Sequence, residues 1–366
     1  MRDVPLVQVK TVRSTEFLAE KKSDAIYLND IPQFVEGELQ RLYGHIYSSL
    51  PYVLAFESSD NISTYVARQD EKPSAILLFR LSGRRIDVLN HTMQIDPAEL
   101  RRFASCMFKR FPSVEIIRLN AVHTDLADFP YPVLRGHAME DIVIDLPDTV
   151  NDYTARLGKA TRHNLKRYQA KLKKNFFYVS YQSYEKNDIE EQIIYDLIRL
   201  SEARVTAKNI NFGINGEQAR RMVELAKSCG VVDVIWVDGQ LCAGSISFRI
   251  GTNQKAEVIA HDEKYNDYSP GMLCYYHAIC QGIHHGVKKY HMGGGRLDYK
   301  VWLSGVQQNM EQVEIYRSYA GMALNCDCVA ETAFKAGVLR LKTWLRRHEN
   351  SLPVRLLLRS RHAMRR

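Results

Sequence analysis

The sequence lacks any stretch of about 18 uninterrupted apolar residues, the length that a membrane-spanning helix needs. Its first residues, Met1-Arg2-Asp3-Val4-Pro5, also lack the apolar core of a secretory signal peptide. We therefore expect a cytoplasmic protein without membrane spans.

Cysteine is sparse, and it is not arranged for metal binding. The 7 cysteines are scattered, and Cys326 and Cys328, which are separated by one residue, have no second pair at zinc-ligand spacing. This distribution excludes the common zinc-finger patterns. We expect reduced, structural thiols and no metal cofactor.

Negative charge is in deficit: Lys and Arg number 50 against 42 Asp and Glu, which gives a net charge of +8. Such a balance favours anionic partners such as nucleotides, polyphosphates, acidic glycans, tRNA or anionic lipid. Because the sequence has no RNA-recognition signature and no helix-turn-helix pattern, direct nucleic-acid binding is not expected. Arginines concentrate within residues 346–366, so peripheral contact of this C-terminal tail with anionic lipid is a further hypothesis.

The chain of 366 residues, 45% hydrophobic and 25% charged, is typical of a soluble globular protein with two domains. In the first part, apolar periodicity predicts a helix over 37–50, strands over 64–67, 75–81 and 85–89, a helix over 97–111 and a strand over 114–119. Residues 120–136 read as a connection, and 142–144 as the next strand. We place the domain boundary near residue 145.

The second part, 146–348, alternates helices and strands again and precedes a basic tail, 349–366. The predicted elements are a basic helix over 151–174, a strand over 177–181, helices over 189–207 and 217–228, three strands over 231–261, a helix from Pro270, a strand ending at His291, a return strand over 312–316 and a helix over 331–348. The fold class is therefore α/β (α+β).

The most informative segment begins with a predicted strand, in which Ala256, Val258 and Ala260 alternate with Glu257, Ile259 and His261. After a polar turn, Tyr268-Ser269-Pro270-Gly271-Met272 reads as a helix start: serine is a good N-cap and proline suits the first helical position. Free N–H groups and the positive end of the helix dipole make such a terminus a site for a pyrophosphate.

A second unusual feature follows this helix: the strand ending at His291 continues into Met292 and the triplet Gly293-Gly294-Gly295, and Asp298-Tyr299-Lys300 comes next. Glycine admits backbone conformations closed to other residues, so a triplet at a strand end indicates close approach of a ligand or of another segment. Far upstream, Arg162-His163-Asn164-Leu165-Lys166-Arg167 forms a basic helical face.

Together these motifs, within roughly residues 140–320, resemble the tandem-GNAT proteins related to FemAB transferases and to the acetyltransferases of cellulose and exopolysaccharide biosynthesis. The resemblance implies two GNAT-like domains in tandem, the first of them degenerate, each with a mixed, mostly antiparallel sheet flanked by helices. It implies that acyl-CoA, such as acetyl-CoA, binds at Tyr268, Ser269, Pro270, Gly271 and Met272. It also implies that the acceptor binds near Arg162, Lys166, His291, Gly293, Gly294, Gly295, Asp298 and Lys300.

The implied activity is transfer of an acyl group from acyl-CoA to an amine, for instance an amino sugar or an envelope or exopolysaccharide precursor. Two departures from the family pattern keep other functions open: the usual Gln/Arg-x-x-Gly-x-Gly/Ala donor loop is reduced to Ser-Pro-Gly, and His291 stands where an acidic residue often precedes the glycine turn. The alternatives are an aminoacyl-tRNA-dependent transferase acting on a peptidoglycan precursor and a non-catalytic GNAT-fold binding protein.

Direct acyl transfer needs a base for the attacking amine. The candidates are Glu257 and His261 on the predicted strand, Asp262 just beyond it, His291 at the end of the next strand, and Asp298. Histidine titrates near neutral pH, whereas a carboxylate needs its pKa raised, or a water as intermediary, to serve as a base. We expect His261 or Asp262 to be the first choice.

Overall fold

A computed structural model describes residues 22–57, 60–207, 212–295 and 298–325. The predicted helix over 331–348, the tail over 349–366, and Cys326 and Cys328 lie outside these ranges. Within them, no helix combines the length and the apolar character needed to cross a membrane.

The first half of the chain is an α/β unit, as its periodicity predicts. The predicted helix over 37–50 is in fact two helices, because Gly44 takes a left-handed conformation (φ +55°) and Ser49 caps a new helix with Pro51 in its first turn. The predicted connection is also shorter than 120–136, since the strands on either side extend into it. The elements are β1 (Lys22–Tyr27), α1 (Val35–Leu42), α2 (Leu50–Phe56), β2 (Ile62–Gln69), β3 (Lys72–Ser82), β4 (Arg85–Val88), β5 (Met93–Gln94), α3 (Pro97–Arg110), β6 (Ile116–His123) and β7 (Val133–Asp145).

The second half repeats this alternation with more helices. The predicted basic helix over 151–174 is broken at Leu157 and Gly158, where the backbone is extended, and Thr149 caps the shorter first piece. The predicted return strand begins six residues earlier than expected, at Val306. The elements are α4 (Val150–Arg156), α5 (Lys159–Asn175), β8 (Val179–Glu185), α6 (Glu191–Ala207), α7 (Gly216–Cys229), β9 (Gly230–Val237), β10 (Gln240–Ile250), β11 (Asn253–His261), α8 (Pro270–His284), β12 (Lys289–His291), α9 (Asp298–Trp302), β13 (Val306–Tyr316) and α10 (Tyr319–Leu324).

The two halves have the same core topology. In each, three antiparallel strands lead into a helix that begins with proline, and the strand after the helix pairs in parallel with the third strand: β2-β3-β4, α3 and β6 in the first half, and β9-β10-β11, α8 and β12 in the second. This shared topology agrees with the prediction that the first half is a degenerate copy of the second, which stays a prediction. The strands form one sheet in the order β1-β2-β3-β4-β6-β13-β7-β12-β11-β10-β9-β8, with β5 beside β6.

Two strands cross between the halves. The chain passes from β6 into β7, but β7 pairs with β12 of the second half, while the late strand β13 pairs with β6 of the first. β7 and β13 also pair with each other over most of their length. An ion pair with a buried carboxylate holds β13 in place. The partly exposed Arg118 on β6 donates to the Glu314 carboxylate (2.9 Å), which is 0% exposed and also accepts from Tyr316 (2.8 Å). The boundary near residue 145 stays a prediction.

Helices cover both faces of the second half's sheet. The apolar stripe of α8, including Leu273, Ala278 and Ile279, packs with α4 and α5 on one face. The buried sides of α6 and α7, including Leu197 and Met222, pack on the other. These layers leave a cleft at the place where β11 and β12 separate.

Candidate active site: a cleft between two separating strands

The parallel pair β11 and β12 is hydrogen-bonded over only three residues, 253–255 with 289–291. β11 continues to His261, and within the described ranges no strand pairs with this edge of β11 beyond Lys255. The opposite edge stays paired with β10, except that the ladder skips Glu257, which is therefore the extra residue of a β-bulge. The splayed strands leave unpaired backbone groups of β11 facing a gap.

Three cavities follow one another along β11. Cavity A (about 310 Å³) lies at the start of α8, cavity B (about 420 Å³) lies beside the glycine triplet, and cavity C (about 230 Å³) lies between α2 and α7. Glu257 borders B and C, Ile259 borders A and B, and His261 borders A. The predicted alternation is confirmed, because Ala256, Val258 and Ala260 are buried.

The helix start predicted to hold the donor lies at cavity A. Ser269, Pro270, Gly271 and Met272 line it, and the Gly271 N–H has no partner among the described residues. Tyr268 does not line the cavity: its hydroxyl accepts from the Asn175 side chain (2.9 Å), and its ring packs against Phe176.

The prediction that Ser269 caps α8 with its side chain is wrong. Ser269 occupies the N-cap position in a left-handed conformation (φ +48°) and makes no side-chain cap bond. Hydrogen bonding to Ser269 and to Arg167 instead lowers the pKa of Tyr168, which lies on α5 across cavity A.

His261 and Asp262 were the first choices for the base, and in the structure both side chains are already hydrogen-bonded to other protein groups. The His261 Nδ1 atom accepts from the Arg204 guanidinium (3.0 Å), so the proton of the neutral ring is on Nε2, which donates to the Asn266 side-chain oxygen (2.9 Å). The ring therefore has no lone pair for a substrate proton in this arrangement. Asp262 accepts from the Lys264 N–H (3.0 Å) as the cap of the following turn and lines none of the three cavities. Their catalytic roles stay predictions, and this hydrogen bonding argues against them.

Cavity B is bordered by an ion pair between the buried Lys255 and the partly exposed Glu257. The Glu257 Oε2 atom accepts from the Lys255 ammonium (2.9 Å) and from the Tyr47 hydroxyl (2.7 Å). Burial alone would raise the pKa of Glu257, but the Lys255 charge and the two hydrogen bonds outweigh it and lower the pKa. The same carboxylate raises the pKa of Lys255, so both groups stay charged at neutral pH. The other carboxylate oxygen of Glu257, Oε1, has no hydrogen-bond partner among the described residues and is available to a ligand. The Glu257 side chain is 29% accessible from the cavities.

Lys300 holds the loop that contains the glycine triplet. The Lys300 ammonium, 4% exposed, donates to the carbonyl oxygens of Met292 (2.8 Å), Gly293 (3.0 Å) and Gly294 (2.8 Å). Burial lowers the pKa of Lys300 to about 8, an effect that the Asp141 charge opposes. Lys300 was predicted to bind the acceptor, but its three N–H groups all donate to carbonyl oxygens of the loop that borders cavity B.

His291 lies behind this loop. Its Nδ1–H donates to Asp141 Oδ2 (2.7 Å), and the other Asp141 oxygen accepts from the Gly293 N–H (3.0 Å). His45 from the first half packs edge-to-face on the His291 ring, with 4.7 Å between centroids, and burial lowers the His45 pKa well below its usual range. The side-chain atoms of His45, Asp141 and His291 that could coordinate a metal ion lie within 4.8 Å of one another. Each Asp141 oxygen already accepts one hydrogen bond, whereas the Nε2 atoms of His45 and His291 are buried without a hydrogen-bond partner among the described residues.

Other predicted acceptor residues lie away from cavity B. The Arg162 guanidinium donates to the carbonyl oxygens of Ala155 (3.0 Å) and Leu157 at the end of α4. Lys166 is exposed on α5, and Asp298 is exposed at the start of α9. Gly293 and Gly294 line cavity B, and Gly295, also in a left-handed conformation, follows them.

Several cleft residues were missed by the sequence analysis. Arg204 and Tyr299 line both A and B, and Tyr47 and Met139 bring the first half of the chain into cavity B. No pattern marks Arg204 among the charged residues of α6. Tyr299 could have been found, because it precedes Lys300 in the motif that the sequence analysis singled out.

Comparison with known proteins agrees with this architecture. Residues 159–301 match the profile of a family described as acetyltransferase (GNAT) domain. FemX superposes with a TM-score of 0.58 at 8% identity, covering 80% of this chain and 96% of FemX. A conserved protein of unknown function from Bacteroides thetaiotaomicron VPI-5482 superposes with a TM-score of 0.53 at 12% identity, covering 80% of this chain and all of that chain. At such identities the similarity shows the fold alone. No curated protein matches the sequence significantly.

Proposed function

We propose that this protein, a tandem-GNAT chain with a FemAB-like fold, is an N-acyltransferase that binds an acyl-CoA donor in cavity A and an amine in cavity B. The observation that supports it is the separation of β11 from β12. The two cavities meet there at Arg204, Ile259 and Tyr299, beside unpaired backbone groups of β11.

The donor would enter along this free strand edge. An extended pantetheine-type arm carries amide groups that can pair with β11 as an added strand would. Its pyrophosphate would then reach the start of α8, where the Gly271 N–H and the positive end of the helix dipole favour an anion.

The amine would be held by Glu257. A carboxylate with a lowered pKa is a weak base, so its role is to bind and orient the acceptor nitrogen through the remaining oxygen. Cavity B keeps that nitrogen within reach of the junction with cavity A, where the thioester carbonyl would lie.

In the reaction, the amine first loses its ammonium proton to bulk water. Its neutral nitrogen then attacks the thioester carbonyl carbon, the C–N bond forms and the C–S bond breaks. Tyr299 is suited to move the proton, because burial raises its pKa and keeps its hydroxyl protonated at neutral pH. The hydroxyl donates its proton to the leaving thiolate and is reprotonated by the nitrogen, which leaves an amide and free CoA thiol.

The donor site can be tested by calorimetric titration of the protein with acetyl-CoA, longer acyl-CoAs and CoA. Gly271→Glu should abolish binding, because a carboxylate there repels the pyrophosphate and the added side chain crowds His261, which lies 3.3 Å from the Cβ position. Gly37→Glu is the matched control, since Gly37 lies in the first turn of α1 with open space around it. If the folded wild type binds no CoA derivative, or if Gly271→Glu binds as well as Gly37→Glu, the assignment of cavity A is wrong.

One observation favours a second donor, an aminoacyl-tRNA. Beside cavity A, α5 exposes more positive charge than the phosphates of one CoA molecule require, through Lys159, Lys166, Arg167, Lys171, Lys173 and Lys174. A polyanion would use such a face, and its affinity would fall steeply with salt. A gel shift with charged tRNA, with acetyl-CoA as competitor, separates the two donors: tRNA binding that CoA does not displace, together with no CoA binding, would select the tRNA-dependent reaction.

A further inference from the structure

Cavity C continues cavity B on the far side of Glu257. Glu257 and Ile214 border both cavities, so a ligand held by the carboxylate can extend from one into the other. The two halves of the chain share its wall: Tyr52 and Phe56 come from α2, whereas Met222 and Leu225 come from α7.

A row of aromatic rings joins the two cavities. Tyr47, which lines cavity B, contacts Tyr52 edge-to-face with centroids 4.8 Å apart, and Tyr52 stacks on Phe56 with centroids also 4.8 Å apart. Flat apolar groups pack favourably against such rings. The rings thus extend from the carboxylate into cavity C.

Among the described residues, three polar side chains border cavity C, those of Glu257, Gln218 and Tyr52. The Gln218 side-chain oxygen already accepts from the Asn215 N–H (2.9 Å) in the cap of α7. Met222, Leu225 and Phe248 form much of the remaining wall. A polyhydroxylated group would find hydrogen-bonding side chains only at Glu257, Gln218 and Tyr52 among the described residues and would lose its bonds to water along the rest of the wall, whereas an apolar group would pack there without that loss.

We propose that cavity C is the specificity pocket of the acceptor and that the acceptor is a primary amine carrying an aryl or branched alkyl group. This inference rests on the proposed function, in which Glu257 holds the amine. The nitrogen lies at Glu257 in cavity B, and the apolar group occupies cavity C between the α2 rings and Met222. An amino sugar, which the sequence resemblance implies as one acceptor, is disfavoured by this wall.

The test measures binding of three amines without a donor, so that it does not depend on the identity of the acyl group. The probes are 2-phenylethylamine, ethylamine and glucosamine, titrated calorimetrically. Wild type should bind 2-phenylethylamine at least tenfold more tightly than ethylamine or glucosamine. Met222→Trp, which fills the cavity, should bring the ratio for the first two amines to about one.

Two further variants separate the possible failures. Glu224→Trp adds the same bulk to the exposed side of α7 and should keep the wild-type ratio. If Met222→Trp does not fold, Met222→Ala enlarges the cavity instead and should shift the preference towards 2-(1-naphthyl)ethylamine. Equal binding of the three probes, preference for glucosamine, or a phenyl preference that no Met222 substitution changes would overturn the assignment of cavity C.

Acyl-transfer assays then separate this inference from the proposed function. Turnover of acetyl-CoA with amines, but without a preference that depends on Met222, contradicts the specificity pocket alone. Binding of apolar amines without turnover of any acyl-CoA contradicts the proposed reaction and leaves the pocket in place.

Discussion

Replacing Lys300 with methionine removes the ammonium group that holds three consecutive carbonyl oxygens of the glycine loop. A buried carbonyl left unsatisfied costs about 1 to 3 kcal/mol. This cost falls mainly on Gly294, because the Gly293 carbonyl keeps the Ile142 N–H (3.3 Å) and the Met292 carbonyl keeps the Tyr275 hydroxyl (3.5 Å), so these two lose only one of their bonds. Methionine also avoids the cost of burying a charge. We therefore expect Lys300→Met to lower the free energy of unfolding by about 2 to 4 kcal/mol, measured by urea denaturation.

Lys289→Met is the matched control, because Lys289 is exposed on β12 near the same loop. A surface substitution of this kind changes stability by about 0.5 kcal/mol or less. If Lys300→Met costs no more than Lys289→Met, the three hydrogen bonds do not hold the loop and the reasoning fails.

The pH dependence gives a second, independent check. The folded-state pKa of Lys300, about 8, lies below the value of about 10.4 expected in the unfolded chain. Between these values the unfolded chain binds more protons, so this group makes the free energy of unfolding rise as pH increases from about 8 to 10. With allowance for solvent screening in cavity B, wild type should gain roughly 1 to 2 kcal/mol relative to Lys300→Met over this window. Parallel curves for the two proteins would refute the assigned pKa shift.

Three further predictions concern the acceptor and the packing. Glu257→Gln should raise the acceptor KM at least tenfold and leave the dissociation constant of acyl-CoA unchanged, because a charge-assisted hydrogen bond contributes about 1.5 to 3 kcal/mol; equal effects on both substrates would contradict the assigned role. Gly230→Ala should destabilise the fold by about 1 to 3 kcal/mol, since its Cβ would lie 2.5 Å from backbone atoms of α7, whereas Gly37→Ala should stabilise it by about 0.5 to 1 kcal/mol. Arg118→Met should cost about 3 to 5 kcal/mol by leaving the buried Glu314 charge without its cation, and urea denaturation in which this variant matches wild type would count against that account.

Local patterns predicted most helices and strands, because the buried apolar residues of each helix or strand recur along the sequence at the spacing of that type of element. The start of α8 at Pro270 and the alternation along β11 were found in this way. The predicted helix boundaries were wrong where a single residue changes the backbone direction, as at Gly44, and where Leu157 and Gly158 separate α4 from α5.

The sequence predicted which residues border the cleft better than it predicted what each of them does there. Glu257, Gly271, Gly293 and Lys300 all border the cleft, but whether a charged group faces a ligand or another protein atom depends on its partners. Lys300 meets three carbonyl oxygens, for example, a role that the sequence alone gave no means of choosing.

The sequence by itself determined the repeated α/β pattern, the proline that begins α8 and the glycine triplet, since each follows from local backbone preference and periodicity. The tertiary structure alone decided the exchange of β7 and β13, the bulge at Glu257, the contribution of Tyr47 to cavity B and the aromatic wall of cavity C. These features join residues far apart in the chain, and their positions depend on which strands pair and which faces pack. Local sequence carries no direct record of that pairing.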